Sequence, residues 1–406
     1  MKLIVITILL FSFYSSSQEF FQPDSQYLTR QKDFWKSIYT EYTSDQTILH
    51  DRSEPSIIYQ IVDHEGFTHH NRIRYVRKKI KKLRSTLKSI KRKRGKRLNK
   101  KEREIYSKLP KKYKKNLSKR IKGLRYQQGM RDSFLAGLER SNKYLHIIKR
   151  VLSEYDLPEE LAYLPHVESS FNYKAYSSVG AAGIWQFMRS SAKLFELEIN
   201  QHVDERLDIT KSTIAAAKHF KENYQILKQS WPIAITAYNH GPSGLRRAMR
   251  KLKTKDFTKI ITQYKTRNFS FASKNFYGSF LAAVEVAQNY WDYFPEVELL
   301  PEKHLITETI SNPIKIEDLL NEHQLTLEKF KEYNPAIKKR VYAKNLKLPR
   351  NTDIYLPAAI YEIPEVQEKS KNMWEKIKDY VLSFLDTLDS KVAKKQQSID
   401  LLKERS

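Results

Sequence analysis

No cysteine occurs in the 406 residues. Disulfides, thiolate metal sites and a cysteine nucleophile are therefore excluded, and the chain is not expected to be a lipoprotein, which needs a lipidated Cys. Glycine is scarce, at 10 residues, which argues against a Gly-rich β protein. Long apolar runs are also missing. The longest, Leu3–Phe13, has about 11 residues, well short of the roughly 20 that a helix needs to cross a bilayer. Acidic residues almost vanish over one stretch. Between Asn71 and Arg125 there are 27 Lys and Arg, opposed only by Glu102 and Glu104, so this segment carries +25 of the formal +28.

What is present reads as globular and helical. Hydrophobic residues make up 40% and aromatics 12%, while 30% charged residues and a mean hydropathy of −0.64 mean that much of the chain is solvated. The first residues have the order of a secretory signal: Lys2, the apolar run, then Ser15 and Ser17 ahead of Gln18. Residues 1–17 are the expected signal peptide, and export to a periplasm is the expected localisation, with membrane association as an addition. An uncleaved anchor is the competing reading.

The basic segment keeps a helical period. Ile73, Val76, Ile80, Leu83, Leu87 and Ile90 recur at steps of three or four. A basic amphipathic helix, a break near Gly95 and a second helix toward Tyr126 are expected, within an N-terminal helical segment spanning 18–125. Such a charge suits nucleic acid, but export points away from that partner and toward an anionic envelope surface. A solvated helical hairpin explains the charge equally.

From 126 to 295 helix follows helix: Leu135–Leu152, a start at Leu157-Pro-Glu-Glu-Leu161, then Ser212–Leu227, Trp231–Tyr238 and Lys274–Tyr290. This is an all-α unit of catalytic size. Residues 303–357 read as β-α-α-β, from the alternating Ile306-Thr-Glu-Thr-Ile310 to Asp353-Ile-Tyr-Leu-Pro357. An apolar stripe from Val366 to Val392 predicts an amphipathic tail helix over 358–406. The expected fold class is mainly α.

The densest chemistry lies between Leu161 and Met188. Glu168 follows an apolar stretch and precedes two serines, Ser177 and Ser178 lead into Gly180-Ala-Ala-Gly183, and Gln186 sits among large apolar groups. A glutamate in such surroundings is desolvated, which raises its pKa toward the range of a general acid. An isolated glutamate, by contrast, reads as an exposed helix-end carboxylate. Asp204, Glu205 and Asp208 beside Arg206 read as ion pairs and turn residues. None of the 11 histidines has convincing ligand spacing. His69 and His70 are adjacent, and His202 with Asp204 is a weak pair. No metal and no cofactor are expected.

Taken together, Glu168-Ser169, Ala175-Tyr-Ser177, Gly183-Ile-Trp-Gln186, Val203-Asp-Glu-Arg206 with Asp208, Ala237-Tyr-Asn239-His-Gly241 and Phe271-Ala-Ser-Lys-Asn-Phe-Tyr277 resemble the lytic murein transglycosylases, most closely the membrane-bound D type. The likeness runs from about Gln127 to Gln288. It implies a goose-lysozyme-like catalytic domain that cleaves peptidoglycan glycan strands. It also implies roles: Glu168 as acid/base, Ser177 as the serine bonded to that carboxylate, and Gln186, Tyr238, Asn239 and Tyr277 as substrate-binding residues. Ile184-Trp185 departs from the usual Leu-Met; Trp185 suits sugar stacking and core packing alike, and His240 is placed near the cleft. Leu327 to Asn334-Pro335 and Ile354-Tyr-Leu-Pro357 resemble a LysM glycan-binding module, whose usual Gly-Asp-Thr-Leu turn is absent.

Most glycosidases use two carboxylates, and no second acid accompanies Glu168 in its motif. The resemblance implies that the substrate supplies the nucleophile, giving 1,6-anhydroMurNAc ends. A hydrolytic muramidase and a non-catalytic wall-binding scaffold are the alternatives.

Overall fold

The structure is a computed structural model that describes residues 21–358. The expected signal peptide and, apart from Ala358, the expected tail helix lie outside the described residues. The chain divides into two compact units. Among the described residues, one comprises those up to Lys303 together with Asn334–Leu346, and the other His304–Tyr333 with residues 347–358. The expected boundary at 125/126 is therefore not a division between compact units.

The first unit opens on helix α1 (Gln26–Thr40), capped by the Ser25 hydroxyl, which accepts from the Leu28 N–H at 3.3 Å. Strands β1 (Gln46–Asp51) and β2 (Ile58–Asp63) follow. Helix α2 (His69–Arg92) comes next, then three short helices, α3 (Lys100–Ser107), α4 (Lys111–Lys114) and α5 (Leu117–Lys122). Strand β3 (Leu124–Gln128) then returns to pair with β1, giving an antiparallel sheet of order β2-β1-β3, with Leu49 facing Gln60 on one side and Tyr126 on the other. The 18–125 segment is thus not purely helical, and Arg125-Tyr-Gln-Gln is a strand.

The basic helices owe their order to this sheet. Val76, Leu83, Leu87 and Ile90 of α2 are buried in one cluster with Leu49, Tyr59 and Val62 of the strands, while Ile73 and Ile80 are half-buried. The break comes where expected: Arg94 and Gly95 have φ of 52° and 74°. Arg120 on α5 faces Asp51 at the end of β1 at 2.8 Å, both side chains almost wholly buried. That contact is an ion pair without hydrogen-bond geometry. Glu102, one of the two acids, completes a capping box with Asn99 and pairs with Lys93 at 2.6 Å. It is committed to holding the fold and leaves the outer cations uncompensated.

The all-helical part begins with α6 (Arg131–Ser141) and α7 (Leu145–Glu154), two helices where one had been expected from 135 to 152. A 3₁₀ turn (Glu159–Tyr163) leads into α8 (Leu164–Glu168), and α9 (Arg189–Leu194) follows. After them come α10 (Ile209–Ile226), α11 (Trp231–His240), α12 (Pro242–Leu252), α13 (Phe257–Gln263), α14 (Phe271–Gln288) and α15 (Tyr290–Tyr293). Helix α14 is buried on nearly every side and is the axis of the unit. Helix α1 lies along it. The approach is close because position 278 is glycine: a Cβ there would sit 2.9 Å from the Gln31 Cβ. Lys36 adds an ion pair to Glu285 at 2.7 Å.

The second unit pairs β4 (Leu305–Thr309) antiparallel with β5 (Asp353–Pro357), Leu305 opposite Pro357. Helices α16 (Ile316–Glu322) and α17 (Leu327–Tyr333) supply Leu319 and Phe330 to a small core with Ile354 and Leu356. The expected β-α-α-β order is present. An unexpected helix, α18 (Lys339–Ala343), lies between α17 and β5 in sequence but belongs to the first unit, where Ile337 bridges Val203.

Candidate active site

Glu168 is the last residue of α8. Ser170 and Phe171 follow with φ of 49° and 56°, so the chain reverses sharply behind the carboxylate. Three contacts hold that reversal. Phe171 is fully buried. Arg140 donates to the Ser170 carbonyl from Nε at 3.1 Å and from Nη2 at 2.7 Å. The Ser169 hydroxyl donates to the Ile184 carbonyl at 2.9 Å, stitching the glutamate turn to the strand of loop that carries Gln186.

Behind Glu168 lies a column of rings. Tyr39 of α1 stacks on Phe134 of α6 at 4.8 Å, and Phe134 stacks on His166 at 4.7 Å. His166 is fully buried and neither ring nitrogen has a partner; burial pushes its pKa down to about 3, so it is a neutral member of the stack. Glu168 is half-buried, and its charge is near enough to the Tyr39 phenol to help raise that group's pKa. Burial pushes the Glu168 pKa up to about 8, and among the described residues no other charge contributes. At neutral pH the group is mostly protonated.

The 175–187 loop is a compact turn. Ala182 bridges both Tyr176 and Phe187. Gly183 has φ of 79°, and a Cβ there would fall 1.8 Å from the Arg206 carbonyl, so only glycine fits. Arg206, wholly buried, grips Asp204 in a two-pronged pair at 2.9 and 2.8 Å and donates from Nη1 to the carbonyls of Gly180 and Phe187 at 2.7 and 3.1 Å. Glu205 takes Lys211 at 2.6 Å, and Asp208 caps α10 by accepting from the Lys211 N–H at 2.8 Å. These acids are structural, as their charged neighbourhood had suggested.

The expected site residues separate into groups. Gln186, at φ 50°, folds its side chain back so that Nε2 donates to the Gly183 carbonyl at 2.8 Å. Tyr238 near the end of α11 donates its phenol to the Trp185 carbonyl at 2.8 Å, stacks on Phe220 at 4.8 Å, and has its pKa raised first by burial and then by the charge of Glu168. Asn239 is exposed and accepts from the Ser273 hydroxyl at 3.1 Å; that hydroxyl also lies 3.3 Å from His240 Nδ1. The Glu168 turn and Tyr238 thus both bond to the chain just before Gln186, through the carbonyls of Ile184 and Trp185, whereas the contacts of Asn239 and His240 run to Ser273.

Ser177 and Tyr277 are placed differently from expectation. The Ser177 hydroxyl accepts from the Ala181 N–H at 2.9 Å and closes its own turn; no bond joins it to Glu168. Tyr277 is 1% exposed, packs edge-on to Phe257 at 5.4 Å and sits near Asp24, with its hydroxyl unpartnered. It is a core residue. Trp185 is likewise wholly buried and donates to the Thr213 hydroxyl at 3.0 Å, which decides it as core rather than a sugar platform. His69 and His70 are exposed and lie 2.9 and 3.1 Å from Arg72 and Arg74. Tyr39, close enough to Glu168 for that charge to raise its own pKa, is a site residue that the motifs did not reveal.

Residues 146–261 match a family model, Transglycosylase SLT domain. Two proteins named membrane-bound lytic murein transglycosylase D, from Escherichia coli strains K12 and O6:H1, are each 26% identical over 200 residues, 49% of this chain and 44% of theirs. A candidate tributyltin chloride resistance protein of Alteromonas sp. (strain M-1) is 36% identical over 127 residues, 31% of this chain and 61% of its own. The chain thus spans under half the length of the transglycosylase D relatives. Among solved structures, the 70 kDa soluble lytic transglycosylase of Escherichia coli aligns with a TM-score of 0.31 at 21% identity, over 37% of this chain and 24% of that one.

Proposed function

We propose that the protein cleaves the β-1,4 bond between MurNAc and GlcNAc in peptidoglycan without consuming water. The observation that carries this reading is a single carboxyl, Glu168, kept protonated near pH 7 by burial alone, in a turn tied to Gln186 and beside Tyr238. Protonated Glu168 gives its proton to the bridging oxygen as the C1–oxygen bond breaks, with help from the MurNAc N-acetyl group. The carboxylate so formed takes the proton of the C6 hydroxyl as that oxygen bonds to C1. The ring closes as 1,6-anhydroMurNAc, and Glu168 is again protonated. A glutamate near pKa 8 suits this alternation of acid and base. Ser177 bears on the site through its turn; its hydroxyl proton, which no bond in the turn uses, is available to Glu168 once substrate is bound.

The test is digestion of purified sacculi with the products identified by mass. Anhydro ends support the proposal. Water-added ends mean a muramidase, and intact sacculi mean a scaffold.

The remaining parts serve attachment in this reading. The protein is exported, and the outer cations of α2, among them Arg77, Lys81 and Arg84, hold it to an anionic envelope surface. The LysM-like unit binds glycan. No described helix is long and apolar enough to cross a membrane. Excising 71–125 would remove part of the sheet and of the core, so neutralising the exposed cations of α2 is the sounder test. Unchanged pelleting of that variant with sacculi at low salt would refute the attachment role.

A further inference from the structure

Outside the basic helices the chain is close to neutral overall, but the balance is local. Between residues 241 and 275 there are ten Lys and Arg against one acid, Asp256. This second cationic region begins where the candidate site ends. Tyr238, Asn239 and His240 finish α11; Gly241, at φ 86°, reverses the chain; and α12 starts at once. Its first turn lies on the His240 ring, since a Cβ at Gly244 would be 2.5 Å from two ring atoms. The buried side of α12 is Gly244, Leu245 and Ala248. At 100° per residue, Arg246 and Arg250 lie on the opposite side, with Arg247 flanking them and Lys251 at the edge of the buried side, and all four are exposed.

These cations have nothing to answer them. Asp256 is already engaged: it accepts from the Lys259 N–H at 2.9 Å and faces the Lys259 ammonium at 3.5 Å. Among the described residues none of Arg246, Arg247, Arg250 and Lys251 makes an ion pair, whereas Lys36, Lys149 and Lys218 each have a carboxylate partner. The positive groups instead press on one another. Arg247 helps to lower the pKa of His240, and Lys265 that of the half-buried Lys274, in both cases after burial. His240, Phe269 and Lys274 stand together at the junction of α11 and α14, the two rings 4.8 Å apart. A like-charged surface of this kind gains most from an anionic ligand.

A neutral glycan needs hydrogen bonds, not net charge. The acidic groups of peptidoglycan are the carboxylates of the short peptides on its lactyl groups. A strand seated at Glu168 delivers those peptides to the neighbouring surface at high effective concentration, and arginine forks match carboxylates two-pronged. We infer that the α12 face and the 253–274 segment form a subsite for the peptide carboxylates of the strand, which makes peptide-bearing glycan the preferred substrate. This rests on the proposed activity.

The test compares intact sacculus strands with strands stripped of peptide by an amidase and then amidated at the lactyl carboxylates that the cut uncovers, so that they carry no charge, for the full chain and for the triple variant Arg246→Gln/Arg247→Gln/Arg250→Gln. The ratio of kcat/KM on intact to stripped strands is expected to fall about tenfold in the variant, through KM, as three exposed pairs of modest strength are lost. Added salt is expected to reduce the ratio for the unaltered protein and to leave the variant's ratio little changed. A ratio that is the same in both proteins overturns the subsite while leaving the activity standing. So does an equal loss on both substrates, which would mark a structural role. No product from either substrate with the unaltered protein would overturn the activity itself, and the subsite with it.

Discussion

The Tyr238 phenol donates to the main-chain carbonyl of Trp185 at 2.8 Å, tying the end of α11 to the residue that precedes Gln186. Both ends of the bond are otherwise fixed. Trp185 is locked by Thr213, and Tyr238 by its stack on Phe220. Removing the hydroxyl alone, in Tyr238→Phe, is expected to cost about 1 kcal/mol of stability. Its cost in kcat is larger, roughly ten- to a hundredfold, because a shift of about 1 Å in a positioned group is enough for that. Denaturant titration beside steady-state rates on sacculi checks both; an unaltered kcat would remove Tyr238 from the site.

Glu168 makes a prediction in pH. The acid must be protonated to act, and its pKa is raised to about 8. Activity is therefore retained at neutral pH and lost as pH rises through about 8. Glu168→Gln is expected to abolish product at every pH.

The same shift predicts stability. A carboxyl whose folded pKa lies above its unfolded value of about 4.5 holds its proton more tightly when folded. Its contribution to stability is fully present below about pH 4.5 and is lost as pH rises toward about 8. Relative to the parent, Glu168→Gln is thus expected to unfold alike at pH 4 and to gain on the order of a few kcal/mol by pH 8. Melting curves across that range decide the matter; a variant with no gain at alkaline pH would refute the buried-acid assignment.

Arg206 is the support of the 175–187 loop. Its pair with Asp204 is buried, and its remaining donors hold Gly180 and Phe187. Truncation to methionine leaves Asp204 charged and buried, which typically costs about 3–5 kcal/mol. Arg206→Met is expected to lower the melting temperature strongly and to inactivate. Restoring the balance with Asp204→Asn on the same chain is expected to recover part of the stability and little of the activity, since the two carbonyl bonds are still missing.

The order of the helices was legible because their apolar residues recur at helical spacing, and the Glu168 to Asn239 motifs lie on that framework in the expected order. The sheet was not. Every residue of β1 after Gln46 is buried, so Gln46–Asp51 shows no alternation, and its second partner, β3, lies more than 70 residues away behind a run of charge. Tyr277 and Ser177 were assigned from motif position alone. Motif position says which turn of chain a residue occupies, but burial and local hydrogen bonds decide where its side chain goes. Tyr39 was invisible for the converse reason: it reaches Glu168 only because α1 folds back along α14.

That return of α1 can be tested through Glu168 itself. Tyr39 is 1% exposed, and its ring is the far end of the stack that runs through Phe134 to His166. Tyr39→Ala opens a cavity in a packed core, at a cost of about 3–5 kcal/mol. If the ring also keeps water from the carboxyl, water entering the cavity lets the Glu168 pKa relax downward, toward that of an ordinary carboxylate. The alkaline loss of activity then begins at lower pH. Tyr39→Phe keeps the ring and gives up only the hydroxyl, so it is expected to retain the parent pH profile. The pH dependence of kcat for the three proteins is the measurement. An alanine variant that is less stable but keeps an unchanged profile would show that α1 supports the fold without bearing on the acid.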